Sequence, residues 1–448
     1  MSTSRTLEGE KVAEIVEISY APESDALLGF SLDIPSVSSF TDTYTLQLAG
    51  WVIGCDRPVK EVAVACDDQV LRCCPVELPR SDVSSVHGPA GAQSGFDTAV
   101  GLASLPRAGR LRIDALLDDG TQQPMIEIGY RRAPLNSGFS PEFQPLMITS
   151  LFRMGTTRLL RLLSEHPEIL VERSYPYETY AASYWLQAFK ILTEPANLHE
   201  SSHPDDFVER RRWIGHNPFH RKPVTEHAAV AKWMGHGSIE RVAEFCQRAT
   251  QDFYRTVAAA QNEGSPRFFA EKHLPSSHVP WMIHDLYHGA REIFLVRDFR
   301  DVVCSMLAFN NKRGFAAFDR QKVDTDLEMI ELFAIRCAQL SAAWRQREES
   351  ALLVRYEELV LDPTATMGAL LRHAGLDDRE RTVNSLIAAA DCETSELAFH
   401  RTTRSPEESI GRWRHELTPE VATTVNRLLE DSLVAFGYEP AVATPGRC

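Results

Sequence analysis

The stretch Leu146–Pro167, LMITSLFRMGTTRLLRLLSEHP, sets one Gly, two Thr and two Arg between a short apolar run and leucines at helical spacing. A strand, a loop and a helix in that order point backbone N–H groups and the positive helix end at one spot, which suits a phosphate or a sulfate. Gly155 lets the backbone approach such an anion, Thr156 and Thr157 add hydroxyl donors, and Arg153 adds a planar cationic fork. This is not a Walker A loop, which needs a Lys directly after its second Gly; here Thr156 follows Gly155 and the cation comes two residues before the glycine. A second stretch, Arg291–Leu307 (REIFLVRDFRDVVCSML), puts Arg297 at a strand end, Asp298 as the cap of the next helix and Ser305 eight residues after Arg297. Arg297 and Ser305 can converge on a second phosphate. The plainer alternatives are an ordinary surface loop and two ion pairs, Arg297–Asp298 and Arg300–Asp301, around a helix start.

The elements that must carry these residues fall into two groups. Residues 1–133 read as an all-β sandwich, with alternating segments at Thr43–Val52, Val59–Cys66, Arg110–Leu117 and Met125–Tyr130 separated by turn-rich pieces. Residues 134–145, with three Pro and a Gly, read as a linker. From residue 146 to 448, apolar runs alternate with helical periods. Leu146–Thr149, Arg267–Ala270, Glu292–Val296 and Ala351–Arg355 look like buried parallel strands, and Ile239–Gln261 and Leu327–Arg347 like helices. The expected fold is therefore α/β, a parallel sheet flanked by helices, preceded by the sandwich. Asp362-Pro363 with Gly375, and Thr418-Pro419 with Gly437, bracket two further helices.

Composition bounds the function. The 448 residues are 44% apolar and 24% charged, which excludes a disordered chain. With 47 Lys+Arg against 62 Asp+Glu the net charge is −15, so nucleic acid is not an expected partner and any anion site must be local. There is no membrane-length apolar run and no secretory h-region in MSTSRTLEGEKVAEI, and the nine scattered Cys read as reduced thiols. A cytoplasmic protein without a membrane contact is the expectation. Histidines gather at His199, His203, His216, His220, His227 and His236, but without carboxylates at ligand spacing, so no metal is expected. The surrounding region, 197–237, reads as an acceptor-binding insert or lid.

In combination, Arg-Met-Gly-Thr-Thr after one strand, then RDFRDV with Ser305, resembles the sulfotransferases that use PAPS (3′-phosphoadenosine-5′-phosphosulfate). LLVRYEELVLDPTATMGALLRHAGL (Leu352–Leu376) is similar to that family's RYEDL…DP segment, and IGRWRHELTPE (Ile410–Glu420) to its GxW loop. HPEI and the YPYE near Glu178 look most like the bacterial carbohydrate or small-molecule branch. The resemblance covers about residues 146 to 438, with the motifs in family order. It implies that Arg153, Met154, Gly155, Thr156, Thr157 and Arg158 cradle the 5′-phosphosulfate and that Arg297 and Ser305 bind the 3′-phosphate. Tyr356 would reach the adenine, and Gly411 would close the loop over the 3′-phosphate. Two departures stand out. Arg153 replaces the Lys of many members, and the basic RKG before the GxW loop is absent, with Pro406-Glu407-Glu408 in its place and Arg404, Arg412 and Arg414 nearby as substitutes.

An acceptor hydroxyl needs a base. Glu178 follows Arg153 by 25 residues, in an aromatic setting, and the resemblance puts the base of glycan sulfotransferases at a similar place. Glu271-Lys272-His273-Leu274-Pro275 is similar to the segment whose His is the base in cytosolic members. Glu178 ranks first and His273 second, because neighbouring Lys272 disfavours the imidazolium; Lys272 would instead stabilise the leaving oxygen with Arg153. The resulting expectation is a PAPS-dependent O-sulfotransferase that releases PAP (the desulfated nucleotide), needs no metal and acts on a carbohydrate or glycosylated small molecule. Its sandwich would hold a glycan or form a homodimer surface. The rivals are a nucleotide kinase of P-loop type and a carbohydrate-binding protein with an inactive transferase domain.

Overall fold

A computed structural model describes residues 11–67, 69–195, 225, 227–262, 264–275, 279–390 and 401–440. The expectations for His199, His203, His216 and His220, and for the insert up to residue 224, lie outside the described residues. The chain forms two compact units. The first joins 1–140 with 184–249 and 277–286; the second joins 141–183, 250–276 and 287–448.

The first unit contains strands β1 (Ala13–Tyr20), β2 (Leu27–Ile34), β3 (Phe40–Thr41), β4 (Thr45–Gly54), β5 (Val59–Cys66), β6 (Gln69–Pro75), β7 (Gly95–Gly101), β8 (Ala108–Leu117) and β9 (Gln122–Arg132). They make two antiparallel sheets, ordered β3-β1-β9-β8-β5-β6 and β2-β4-β7. Alternate residues such as Leu111, Ile113 and Ala115 are fully buried, and they share one apolar cluster with Leu46, Leu48 and Val100 of the smaller sheet. That is a sandwich core. The helix Ser81–His87 and its following turn lie between β6 and β7.

Asp285, on the helix Val279–Leu286, belongs to this unit although it lies far along the chain. Its carboxylate accepts from Arg132 Nη1 at 2.5 Å and from Arg107 Nε at 2.6 Å. The Arg132 and Asp285 side chains are 0% and 2% exposed. Removing one partner of such a pair leaves an uncompensated buried charge. Asp285→Ala is therefore expected to cost about 3–5 kcal/mol, read as a lower urea midpoint at unchanged m-value. A loss below about 1 kcal/mol, the scale of an exposed pair, would contradict this.

The second unit is built on β10 (Gln144–Thr149), β11 (Ile169–Leu170), β12 (Phe268–His273), β13 (Arg291–Val296) and β14 (Leu352–Arg355). The order is β11-β12-β10-β13-β14 and every neighbouring pair is parallel. Helices Thr156–Leu163, Phe299–Arg313, Asp326–Arg345, Pro363–Ala374 and Pro419–Ala435 contribute Leu159, Val302, Phe333, Leu370 and Leu429 to one core with the strands. Asp362 and Thr418 cap their helices through the N–H groups of Ala365 and Val421, each with Pro at the first position. Two boundaries differ from the sequence reading. β10 starts inside the stretch read as linker, and β12 runs on through Glu271, Lys272 and His273, polar residues that are nonetheless buried. No helix among the described residues is long and apolar enough to cross a membrane.

The chain leaves β10 for β11, returns beside β10 in β12, then crosses to β13 on the other flank. The order reverses at β10, so the crevice beyond the carboxyl ends of these strands is where a ligand is expected in an open parallel sheet.

Candidate active site

Residues 150–155 carry the chain from β10 into the helix Thr156–Leu163. Arg153 and Gly155 take the left-handed region, at φ 64° and 96°. Gly155 is required there: a Cβ would stand 2.3 Å from Cδ2 of the Tyr356 ring, so only glycine lets ring and loop meet. The first N–H groups of a helix have no acceptor within it, and Gly155, Thr156 and Thr157 line a cavity of about 310 Å³. Arg153, Arg297 and Tyr356, from beyond the ends of β10, β13 and β14, and Lys272, at the end of β12, line the same cavity.

Among the described residues, six cationic ones line it, Arg153, Arg158, Arg161, Lys272, Arg297 and Arg401, against one carboxylate, Glu178. In a chain of net charge −15 that is a local inversion of sign. Arg153 Nε donates to Ser305 Oγ at 3.0 Å, and its guanidinium lies 4.9 Å from the Phe309 ring centroid. Arg297 donates to the carbonyls of Ser409 and Arg153, at 2.5 and 3.4 Å, and lies 4.8 Å from the Tyr356 ring centroid. Burial, and then the Arg297 charge, pull the Arg153 guanidinium down to about 10. A multivalent anion between two such cations relieves their repulsion and takes charge-assisted hydrogen bonds from both. The Nε atoms of Arg158 and Arg297 are buried without a hydrogen-bond partner among the described residues, which leaves donors for a ligand.

A sequence profile of the sulfotransferase family matches residues 145–380, more than half of the chain. The chain belongs to the sulfotransferase family. Among curated proteins it is 20% identical over 219 residues to Cytosolic sulfotransferase 17 of Arabidopsis thaliana, a match covering 42% of this chain and 60% of that protein, so less than two thirds of the relative is spanned. Among solved structures, a sulfotransferase domain from the curacin biosynthetic pathway superposes with a TM-score of 0.39 at 14% identity, covering 67% of this chain and 99% of the other. Mouse sulfotransferase SULT7A1 complexed with PAP gives 0.37 at 13% identity, covering 67% and 88%.

In this sulfotransferase, Met154, His273, Gly411 and Arg412 are not among the residues lining the cavity. The Met154 side chain is buried in the core. The N–H of Gly411 donates to Asp301 Oδ2 at 2.6 Å and that of Trp413 to Asp301 Oδ1 at 3.0 Å. The GxW backbone is thus bound to protein rather than turned to the cavity. Arg412 pairs with Glu416 through two contacts of 2.8 and 2.7 Å. The RDFRD string is not two adjacent ion pairs. Arg300 returns to Asp298 and lies 4.0 Å from the Trp413 ring centroid, while Asp301 holds the distant loop. Sequence reading missed Asp301, Arg161 and the cavity-lining residues Arg401, Thr402, Thr403 and Ser409. The string Arg401-Thr402-Thr403-Arg404 was the available signal, since it repeats the composition of the anion loop.

Glu178 is held at both oxygens. Lys272 Nζ donates to Oε1 at 2.9 Å and the Tyr180 hydroxyl to Oε2 at 2.6 Å. Burial, then the hydrogen bond to Glu178, push the Tyr180 hydroxyl well above the usual phenol range, so it stays a donor. Each carboxylate oxygen keeps a lone pair for a substrate proton.

His273 is set apart from the cavity because successive strand residues face opposite ways, and Lys272 takes the cavity side. The imidazole is buried. Its Nδ1 lies 3.1 Å from Ser183 Oγ, and Nε2 has no partner among the described residues. Burial, then the charge of buried Arg347, hold it down at about 3, against 6.5 ordinarily. The unfolded chain therefore binds one more proton between those values, so stability rises with pH across that window and is lost as pH falls below about 6.5. His273→Gln is expected to flatten the curve of Tm against pH between about pH 4 and 7. A curve parallel to wild type would show that this imidazole titrates normally.

Proposed function

We propose that the chain transfers a sulfuryl group from PAPS to a hydroxyl of an acceptor, with a carbohydrate or glycosylated small molecule as the first class to test. The reading is carried by one observation: the glycine loop, Arg297 with Ser305, and a carboxylate–lysine pair line one cavity. The loop from Arg153 to Arg158 suits the 5′-phosphosulfate, Arg297 with Ser305 the 3′-phosphate, and the Tyr356 ring the adenine. Arg401, with Thr402 and Thr403, supplies cation and hydroxyls where the RKG string is lacking, while Arg412 is occupied by Glu416.

The acceptor oxygen bonds to sulfur as the bond from sulfur to the bridging oxygen breaks, and Glu178 takes the acceptor's proton. Lys272, Arg153 and the loop N–H groups stabilise charge on the departing nucleotide oxygen. The protein mostly positions reactants and stabilises charge, as in phosphoryl transfer. A cytoplasmic setting fits the free thiols of Cys55 and Cys73, both exposed.

The test is thermal: PAP should raise Tm by mass action, with EDTA present or absent. AMP or ATP stabilising as well as PAP would sink the donor assignment.

A further inference from the structure

The end of β12 grips the segment that carries Glu178. Glu271, fully buried, accepts from the backbone N–H groups of Ala182 and Ser183, both at 3.0 Å, and from the Tyr254 hydroxyl at 2.5 Å. Those two N–H groups belong to the first turn of the helix Ala181–Thr193, so a carboxylate from a neighbouring strand does the work of a helix cap. Tyr254 is itself buried, with its ring stacked on Phe269 at 4.1 Å, and its oxygen lies 3.2 Å from Thr179 Oγ1. Burial keeps that phenol protonated, so it can donate to Glu271 while Thr179 donates to it.

Tyr180 lies between these anchors and Tyr177 two residues before them, both in the left-handed region at φ 53° and 70°. Non-glycine residues persist there only where their surroundings hold them. Glu178 sits between the two, and its oxygens meet Lys272 and Tyr180. The mechanism uses none of Glu271, Tyr254 or Thr179.

We propose that Glu271 is a positioning residue: its buried carboxylate fixes the start of the helix Ala181–Thr193 and, through Tyr254 and Thr179, the left-handed turn that presents Glu178 to Lys272. This rests on Glu178 being the base.

The test compares E271Q, Y254F and E178Q in the full chain. Three quantities are read: amide hydrogen exchange, PAP affinity and stoichiometry, and turnover of PAPS to PAP with water and 4-nitrophenol as probe acceptors. In E271Q, amides of residues 178–183 should exchange about tenfold faster or more, while those of the anion loop keep wild-type rates. Its kcat per PAP-binding site should fall about 10- to 100-fold with KM and PAP affinity within about twofold. Y254F, which keeps both backbone caps, should move the same way by less. A merely structural role would lower the number of PAP-binding sites and leave kcat per site alone.

Wild-type kcat per site and wild-type exchange in both variants would overturn the proposal while leaving the base intact. Should E271Q fail to fold, Y254F decides by the same criteria. If the probes are not turned over, unchanged exchange in residues 178–183 overturns it. Wild-type turnover in E178Q would instead overturn the base reading, and this inference with it.

Discussion

Arg297→Ala is expected to weaken PAP binding about 10²–10³-fold and to erase most of the PAP-dependent rise in Tm, because a buried phosphate would lose a charged hydrogen-bond partner. Arg297 is 5% exposed, its two Nη atoms are spent on carbonyls, and its buried Nε has no partner among the described residues. The side chain thus shapes the site and offers a directed donor to a ligand. Arg297→Lys should fall between, since it keeps the charge but loses the fork and the stacking on Tyr356. The variant also loses two backbone anchors, so its ligand-free Tm should drop too. Calorimetry of PAP binding separates the two effects, and wild-type affinity in the alanine variant would remove Arg297 from the nucleotide site.

Glu178→Gln is expected to cut kcat by about 10²–10⁴-fold, the range for losing a general base, while PAP affinity should stay near wild type. Gln fills the same space but cannot take a proton, and its NH₂ group, a donor only, cannot replace the oxygen that accepts from Lys272 or from Tyr180. His273→Gln should affect turnover less, since its imidazole is buried, does not line the cavity and meets Ser183. If the two effects came out reversed, proton transfer would run from the far side of Lys272 and the ranking of bases would fail.

The parts of this molecule that were legible are those whose chemistry is contiguous. A buried strand, a glycine, two threonines and an arginine lie within a dozen residues, and so do Arg297 and Ser305; local spacing was enough to place them beside a parallel sheet. The parts that were not legible depend on partners far along the chain. Glu271, Lys272 and His273 look like the exit from a strand because they are polar, yet Ala182, Ser183 and Glu178 keep them within it. Asp301 has an arginine next to it and instead binds backbone 110 and 112 residues away. Asp285 lies among transferase elements in sequence and completes the first unit through Arg132. Pattern reading assigns burial to apolar residues, and each of these is a buried polar or charged side chain held by partners at long range.

Sulfuryl transfer from PAPS can be read by incubating the full chain with PAPS carrying a heavy sulfur isotope and a library of hydroxyl acceptors, with products followed by mass spectrometry. An acceptor should gain one labelled sulfuryl group, with PAP formed in equal amount, the same yield with EDTA, and little product from Glu178→Gln. With ATP and Mg²⁺ added to the same mixture, phosphoryl transfer to an acceptor with PAPS left intact would contradict it.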